Sequence, residues 1–213
     1  LPLLANIVLT DALNPYNVSI TLSNSVGSSG AGDSNPLNNS LVASVGPALQ
    51  GGTNANPRIY YVGGSSSVPT GTGWFPNLTN VGTALTFGGI LGSVEFRIRR
   101  GTYNDQMLLG QISQTVTGLP GGGANATVLF GPDVADGANA SNVIINSPNT
   151  AGAGNYNVQL NGAKYITFNN LTFGTSSAVA GRIFWLRNSS QQINIQNCVL
   201  NGRTVTSSTI TED

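Results

Sequence analysis

Histidine is absent from this 213-residue chain, lysine and cysteine occur once each, and charged residues make up only 8% of it. Each shortage excludes something. Without histidine, the commonest general base and the commonest metal ligand are both missing. A single cysteine, Cys198, cannot close an internal disulfide. The net charge is zero, and seven arginines with one lysine provide no basic surface for a polyanion, so nucleic acid is not an expected partner. No apolar run is long enough to span a membrane. One further shortage is local: residues 137–211 contain neither Asp nor Glu.

Glycine, asparagine, serine and threonine fill the space that charge leaves. The alternating apolar runs that recur from Ile59 onward rule out disorder by charge. The polar, lysine-poor composition points to a secreted or surface protein. The clearest pattern is a repeat. Ile166 and Ile193 stand 27 residues apart, as do Asn170 and Asn197. In both copies a strand of period-2 alternation meets an Asn, bends, and resumes as a second short strand. A repeat of that length with strands and no helix predicts the coil of a β-solenoid.

Residues 1–57 are expected to form an N-terminal arm, or the end of a preceding β domain. Strands are predicted at 7–10 and 18–22 around the turn Asn14-Pro15, with a further short strand at 40–45. Such an arm would suit strand addition to a neighbouring subunit. From Arg58 to residue 213 the pattern reads as the start of a solenoid. Strands are predicted at 59–62, 94–99, 107–109, 127–131 and 142–146. A helix is predicted at 75–87, capped by Asn77 or Thr79, with Leu78, Val81, Ala84 and Leu85 on one face. No closing cap is legible after Gly202. The last coil is therefore expected to continue in a longer chain or to meet another copy.

The strand around Tyr60-Tyr61-Val62, the helix after it, and a strand leading into Gly101-Thr102-Tyr103 resemble the opening of right-handed parallel β-helix proteins of the pectin-lyase-like fold. Residues 160–173 are similar to coils of its secreted bacterial members. The resemblance covers about residues 58–202. It implies an all-β, right-handed parallel β-helix with an N-terminal capping helix, and it leaves function open between enzymes and adhesins. Carbohydrate-active members of the fold work with clustered carboxylates, as acid and base or as holders of calcium. The carboxylate-free stretch from 137 to 211 supplies neither, so a non-catalytic role is expected.

A few residues remain as candidates. Asp133 and Asp136 are the only close acidic pair ahead of the terminal Glu212-Asp213, with turn chemistry as one reading and a Ca²⁺ loop as the other. Arg97, Arg99 and Arg100 form the densest basic patch, either a solvated strand face or a contact for a carboxylated glycan. Trp185, between Arg182 and Arg187, could stack on a sugar or pack against the core. Asn170 and Asn197 are expected to form a side-chain ladder at equivalent bends. Cys198 reads as core filler. The expected function is a structural or adhesive segment of a secreted cell-surface or filament-forming protein, partnered by other copies, further domains or surface glycans. A polysaccharide-binding or polysaccharide-degrading module is the alternative.

Overall fold

The computed structural model describes residues 16–21, 40–112, 125–178 and 180–203. The expected strand at 7–10 lies outside them, as does 118–124, a stretch with three consecutive glycines read from the sequence as an excursion between coils. The first described elements are β1 (Tyr16–Thr21) and β2 (Ser40–Val45). These pair with each other in antiparallel register. Strand β3 (Leu49–Gln50) follows, then β4 (Arg58–Val62) and β5 (Gly73–Phe75). Helix α1 (Leu78–Gly88) and strand β6 (Ile90–Leu91) come next. Strand β3 pairs with β6, and Gly52 and Ser93 exchange backbone hydrogen bonds at 2.8 Å, which ties residues 49–52 to the solenoid.

The coils proper start with β7 (Val94–Ile98), β8 (Gly101–Tyr103) and β9 (Met107–Leu109). The second coil is β10 (Val128–Pro132), β11 (Val143–Ser147) and β12 (Val158–Asn161). The third is β13 (Lys164–Asn169), β14 (Thr172–Thr175) and β15 (Phe184–Arg187). A fourth begins with β16 (Gln191–Gln196) and β17 (Val199–Asn201). Every neighbouring pair within the three stacked sheets is parallel, in the orders β16-β13-β10-β7-β4-β5, β17-β14-β11-β8 and β15-β12-β9. The chain is a parallel β-solenoid.

Alternation explains why these segments stack. In β7 the residues Val94, Phe96 and Ile98 are buried, while Glu95 and Arg97 face outward. The register then places like on like. Tyr60, Phe96, Phe130 and Phe168 lie one above another, and Ile195 follows them. Val94, Val128, Ile166 and Ile193 form a second interior column. On the next sheet Tyr103, Ile145, Phe173 and Leu200 form a third. Burying each such side chain stabilises the fold by about 1.5–3 kcal/mol.

The N-terminal end of the core is closed by α1, as the sequence predicts. Asn77 caps it, its Oδ1 accepting from Asn80 N at 2.9 Å. Leu78, Val81, Ala84 and Leu85 are buried beneath it, together with Gly82. A glycine in mid-helix lowers the helix propensity. Here it allows close approach: a Cβ at Gly82 would stand 2.7 Å from the carbonyl oxygen of Leu108 on β9.

The bends between sheets use left-handed backbone. Asn170 (φ 57°) and Asn197 (φ 55°) turn the chain between the first and second sheets of their coils. Tyr165 (φ 57°) and Gln192 (φ 55°) repeat the conformation at the start of β13 and β16. Asparagine enters that region readily and tyrosine rarely, so the pattern at 165 and 192 is invisible to a search for glycine and asparagine.

Candidate functional site

The structure separates the predicted basic patch into three ion pairs. Arg97 lies beside Glu95 on the outer face of β7, with Nε donating to Glu95 Oε1 at 2.7 Å. That bond raises the guanidinium's pKa further, and it commits Arg97 to an internal partner. Arg99 turns away, over the ring of Tyr61 at 5.2 Å. Its guanidinium donates to the carbonyls of Ser65 and Ser67, and its Nε lies 3.9 Å from Asp133 Oδ2. Arg100 donates from its backbone nitrogen and its Nε to Asp136 Oδ2, at 3.1 and 3.4 Å. The backbone bond is the main reason that the Asp136 carboxyl titrates below the ordinary aspartate range, with the guanidinium helping.

Asp133, Asp136, Arg99 and Arg100 thus come together around a cleft of about 550 Å³ beside Tyr61 and Ser65. Asp133 opens, and Asp136 closes, a single 3₁₀ turn that Gly137 ends at φ 72°. This is the turn chemistry the sequence suggests. Asp133 is buried at 4% exposure, and its Oδ1 has no hydrogen-bond partner. Two guanidiniums beside two carboxylates leave little negative charge to hold Ca²⁺, which wants six to eight oxygen ligands. Among the described residues no three of His, Cys, Asp and Glu gather. The cleft is an ion-pair lattice that pins the 63–67 loop to the bend after β7.

Trp185 lies on the third sheet, away from these arginines. The guanidinium carbons of Arg182 and Arg187 lie 4.5 and 4.4 Å from its ring centroid, and Tyr156 stands 6.3 Å away. Both guanidiniums make cation–π contact with the ring. Cys198 is half-buried and packs against the core from the last coil, its Sγ 3.2 Å from the carbonyl of Gln196.

Asparagine side chains do bond from coil to coil, in pairs that the repeat alone does not give. Asn197 donates from Nδ2 to Asn169 Oδ1 at 3.0 Å, and Asn188 donates to Asn161 Oδ1 in the same sense. Asn170 contributes its backbone nitrogen, which donates to the carbonyl of Gln196 at 3.1 Å. No family model, curated protein or solved structure matches the chain. The site must be judged on its own geometry.

Two features escape the sequence. Beside α1 runs a groove of about 450 Å³, lined by Thr79, Thr83, Thr86, Phe87, Asn104 and Tyr156 among others. It forms because α1 packs along β9, and no local pattern announces that contact. Asp105 is the other. Its Oδ2 accepts from Leu78 N at 3.1 Å, so this carboxylate serves the N-terminus of α1. The described solenoid ends on apolar residues. Ile195, Leu200 and Leu186 are 38%, 51% and 51% exposed, whereas Phe168, Phe173 and Leu160 one coil below are fully buried. None of the described helices is long and apolar enough to cross a membrane.

Proposed function

We propose that the chain is a non-catalytic structural or adhesive segment of a secreted cell-surface or filament-forming protein, built on a right-handed, pectin-lyase-like β-helix. The observation that carries this reading is the interior column Tyr60–Phe96–Phe130–Phe168, continued by Ile195. Each coil adds the same contacts to the one before, so length and stiffness accumulate by nearest-neighbour stacking without any active site. The arginines and carboxylates that a sequence search selects are spent on one another or on backbone, which suits a scaffold. Apolar side chains on the last described coil suit a surface that receives further coils or another copy.

Pulling the chain from its two ends tests the reading. A stacked scaffold gives resistance in discrete steps, each releasing one coil of 27 to 38 residues, or roughly 90–130 Å of chain. Smooth extension at low force counts against it. A polysaccharide-binding role is the second reading, favoured by the hydroxyl-rich groove beside α1 with Tyr156 at its edge. Cleavage of pectin or alginate that is lost on Asp133→Ala would replace the structural proposal with an enzymatic one. Binding without cleavage, weakened by Tyr156→Ala, would identify an adhesive face.

A further inference from the structure

The chain contains two Asn-Gly pairs, Asn161-Gly162 and Asn201-Gly202, and both fall at the end of a solenoid strand. Asn-Gly is chemically unstable when the chain is free to bend. The backbone nitrogen of the glycine attacks Cγ of the asparagine side chain, forming an N–Cγ bond. The Cγ–Nδ2 bond then breaks, and ammonia leaves with a proton. Water opens the resulting five-membered imide to aspartate or isoaspartate. No other reagent is needed. The reaction requires a glycine N–H that is free to lose its proton and an asparagine side chain that is free to swing onto its own backbone.

The fold treats the two pairs differently. Gly162 N donates to the carbonyl of Arg187 at 3.0 Å and lies 3.0 Å from Ser190 Oγ, both contributed by the coil that follows. Asn161 is held too, because its Oδ1 accepts from Asn188 Nδ2. Nucleophile and electrophile are locked by the same coil.

Among the described residues, none covers Asn201 and Gly202 in this way. Val199 N donates to the carbonyl of Leu171 in the coil beneath, at 2.9 Å. Amide directions alternate along a strand, so Asn201 N also points to the coil beneath while Leu200 N and Gly202 N point away from it. Strand β17 is the last described strand of its sheet, both residues are exposed, and the Asn201 side chain makes no hydrogen bond among the described residues.

We infer that Asn201-Gly202 is a site of spontaneous deamidation and that coil stacking protects Asn161-Gly162 from the same reaction. The consequence is a new negative charge in a region with no carboxylate between 137 and 211, placed on the edge strand of the second sheet. Any segment that later pairs with β17 through Gly202 N would slow the reaction, so the chemistry reports whether that edge is covered.

The test incubates the purified chain in mildly alkaline buffer, digests it, and follows the one-dalton gain and the isoaspartate content of both peptides by mass spectrometry. In the folded chain Asn201 should convert about five- to thirtyfold faster than Asn161, since opening the bonds on Gly162 N costs on the order of 1–2 kcal/mol. In concentrated urea the two rates should converge. Gly202→Ala should slow only the Asn201 reaction, and Ser190→Ala should accelerate only that of Asn161. Equal rates in the folded chain, faster conversion of Asn161, or an Asn201 that reacts in urea but not when folded would each overturn the inference.

Discussion

The ring of Phe130 lies 5.0 Å from that of Phe168, with the two planes inclined by 12°, and Phe96 stands 5.0 Å from Phe130 on the other side at 15°. Three coils are therefore joined by one column of offset-stacked rings at the centre of the core. Replacing the middle ring removes contacts to both neighbours at once. Phe130→Ala should cost about 3–5 kcal/mol, measured as the loss of stability in urea unfolding. Phe130→Leu, which refills most of the volume but ends the stacking, should cost less. Equal losses for the two variants would show that refilled volume recovers nothing and that the stacked rings carry the whole contribution.

Gly82 offers a prediction in which two rules oppose each other. Helix propensity alone says that Gly82→Ala should stabilise α1 by about 1 kcal/mol. Packing says the reverse, because the new methyl would stand 2.7 Å from the carbonyl oxygen of Leu108 and 3.3 Å from Met107 Cγ. A backbone atom cannot step aside as a side chain can, so the clash decides. Gly82→Ala should be destabilising by about 1–3 kcal/mol, as overpacking generally is. A rise in the thermal midpoint would show that α1 is less firmly seated on β9 than this contact requires.

These two sites show what was legible in the sequence and what was not. Alternation at Val94, Phe96 and Ile98 gave the strand and its inward face directly, and the Ile166/Ile193 repeat gave the coil. Helix α1 was legible through its cap at Asn77 and its face of Leu78, Val81, Ala84 and Leu85. The stacking of Phe130 on Phe168 was not. Loops of unequal length separate the early coils, so their register is set by three-dimensional pairing rather than by a fixed spacing. The partners of the candidate residues were hidden for a related reason. Arg97, Arg99 and Arg100 look like one patch in sequence, yet each finds a different partner across the fold.

Asp105 illustrates a carboxylate whose role is structural. It meets the first N–H of α1 from 27 residues away, while Asn77 satisfies the third residue of the helix. Asn77→Ala should cost about 0.5–2 kcal/mol, the usual loss of an N-cap. Asp105→Asn keeps an acceptor oxygen and removes the charge, so it isolates the dipole contribution of about 0.3–1 kcal/mol. Asp105→Ala should cost more than Asp105→Asn. Were the two equal in chemical unfolding, the hydrogen bond to Leu78 would carry no stability.

The alkaline limit of stability is set in part by Tyr103. Its hydroxyl is buried and donates within reach of the carbonyls of Arg99, at 2.7 Å, and Val62, at 3.2 Å. Burial pushes its pKa up to about 12, with Asp136 and Asp105 adding to the rise and Arg99 opposing it. Unfolding returns the phenol to about 10. Between those values the folded chain holds a proton that the unfolded chain has released, so stability falls as pH rises. The contribution is complete below pH 10 and lost through about pH 12. Burial raises the pKa of Tyr60 in the same direction, so both phenols contribute to the fall. Urea unfolding of the wild-type chain from pH 8 to 11 should show a plateau and then a decline. Tyr103→Phe should lie lower on the plateau, because two carbonyls lose their donor, and should decline less steeply. A variant whose decline matches the wild type would assign the alkaline transition to other groups.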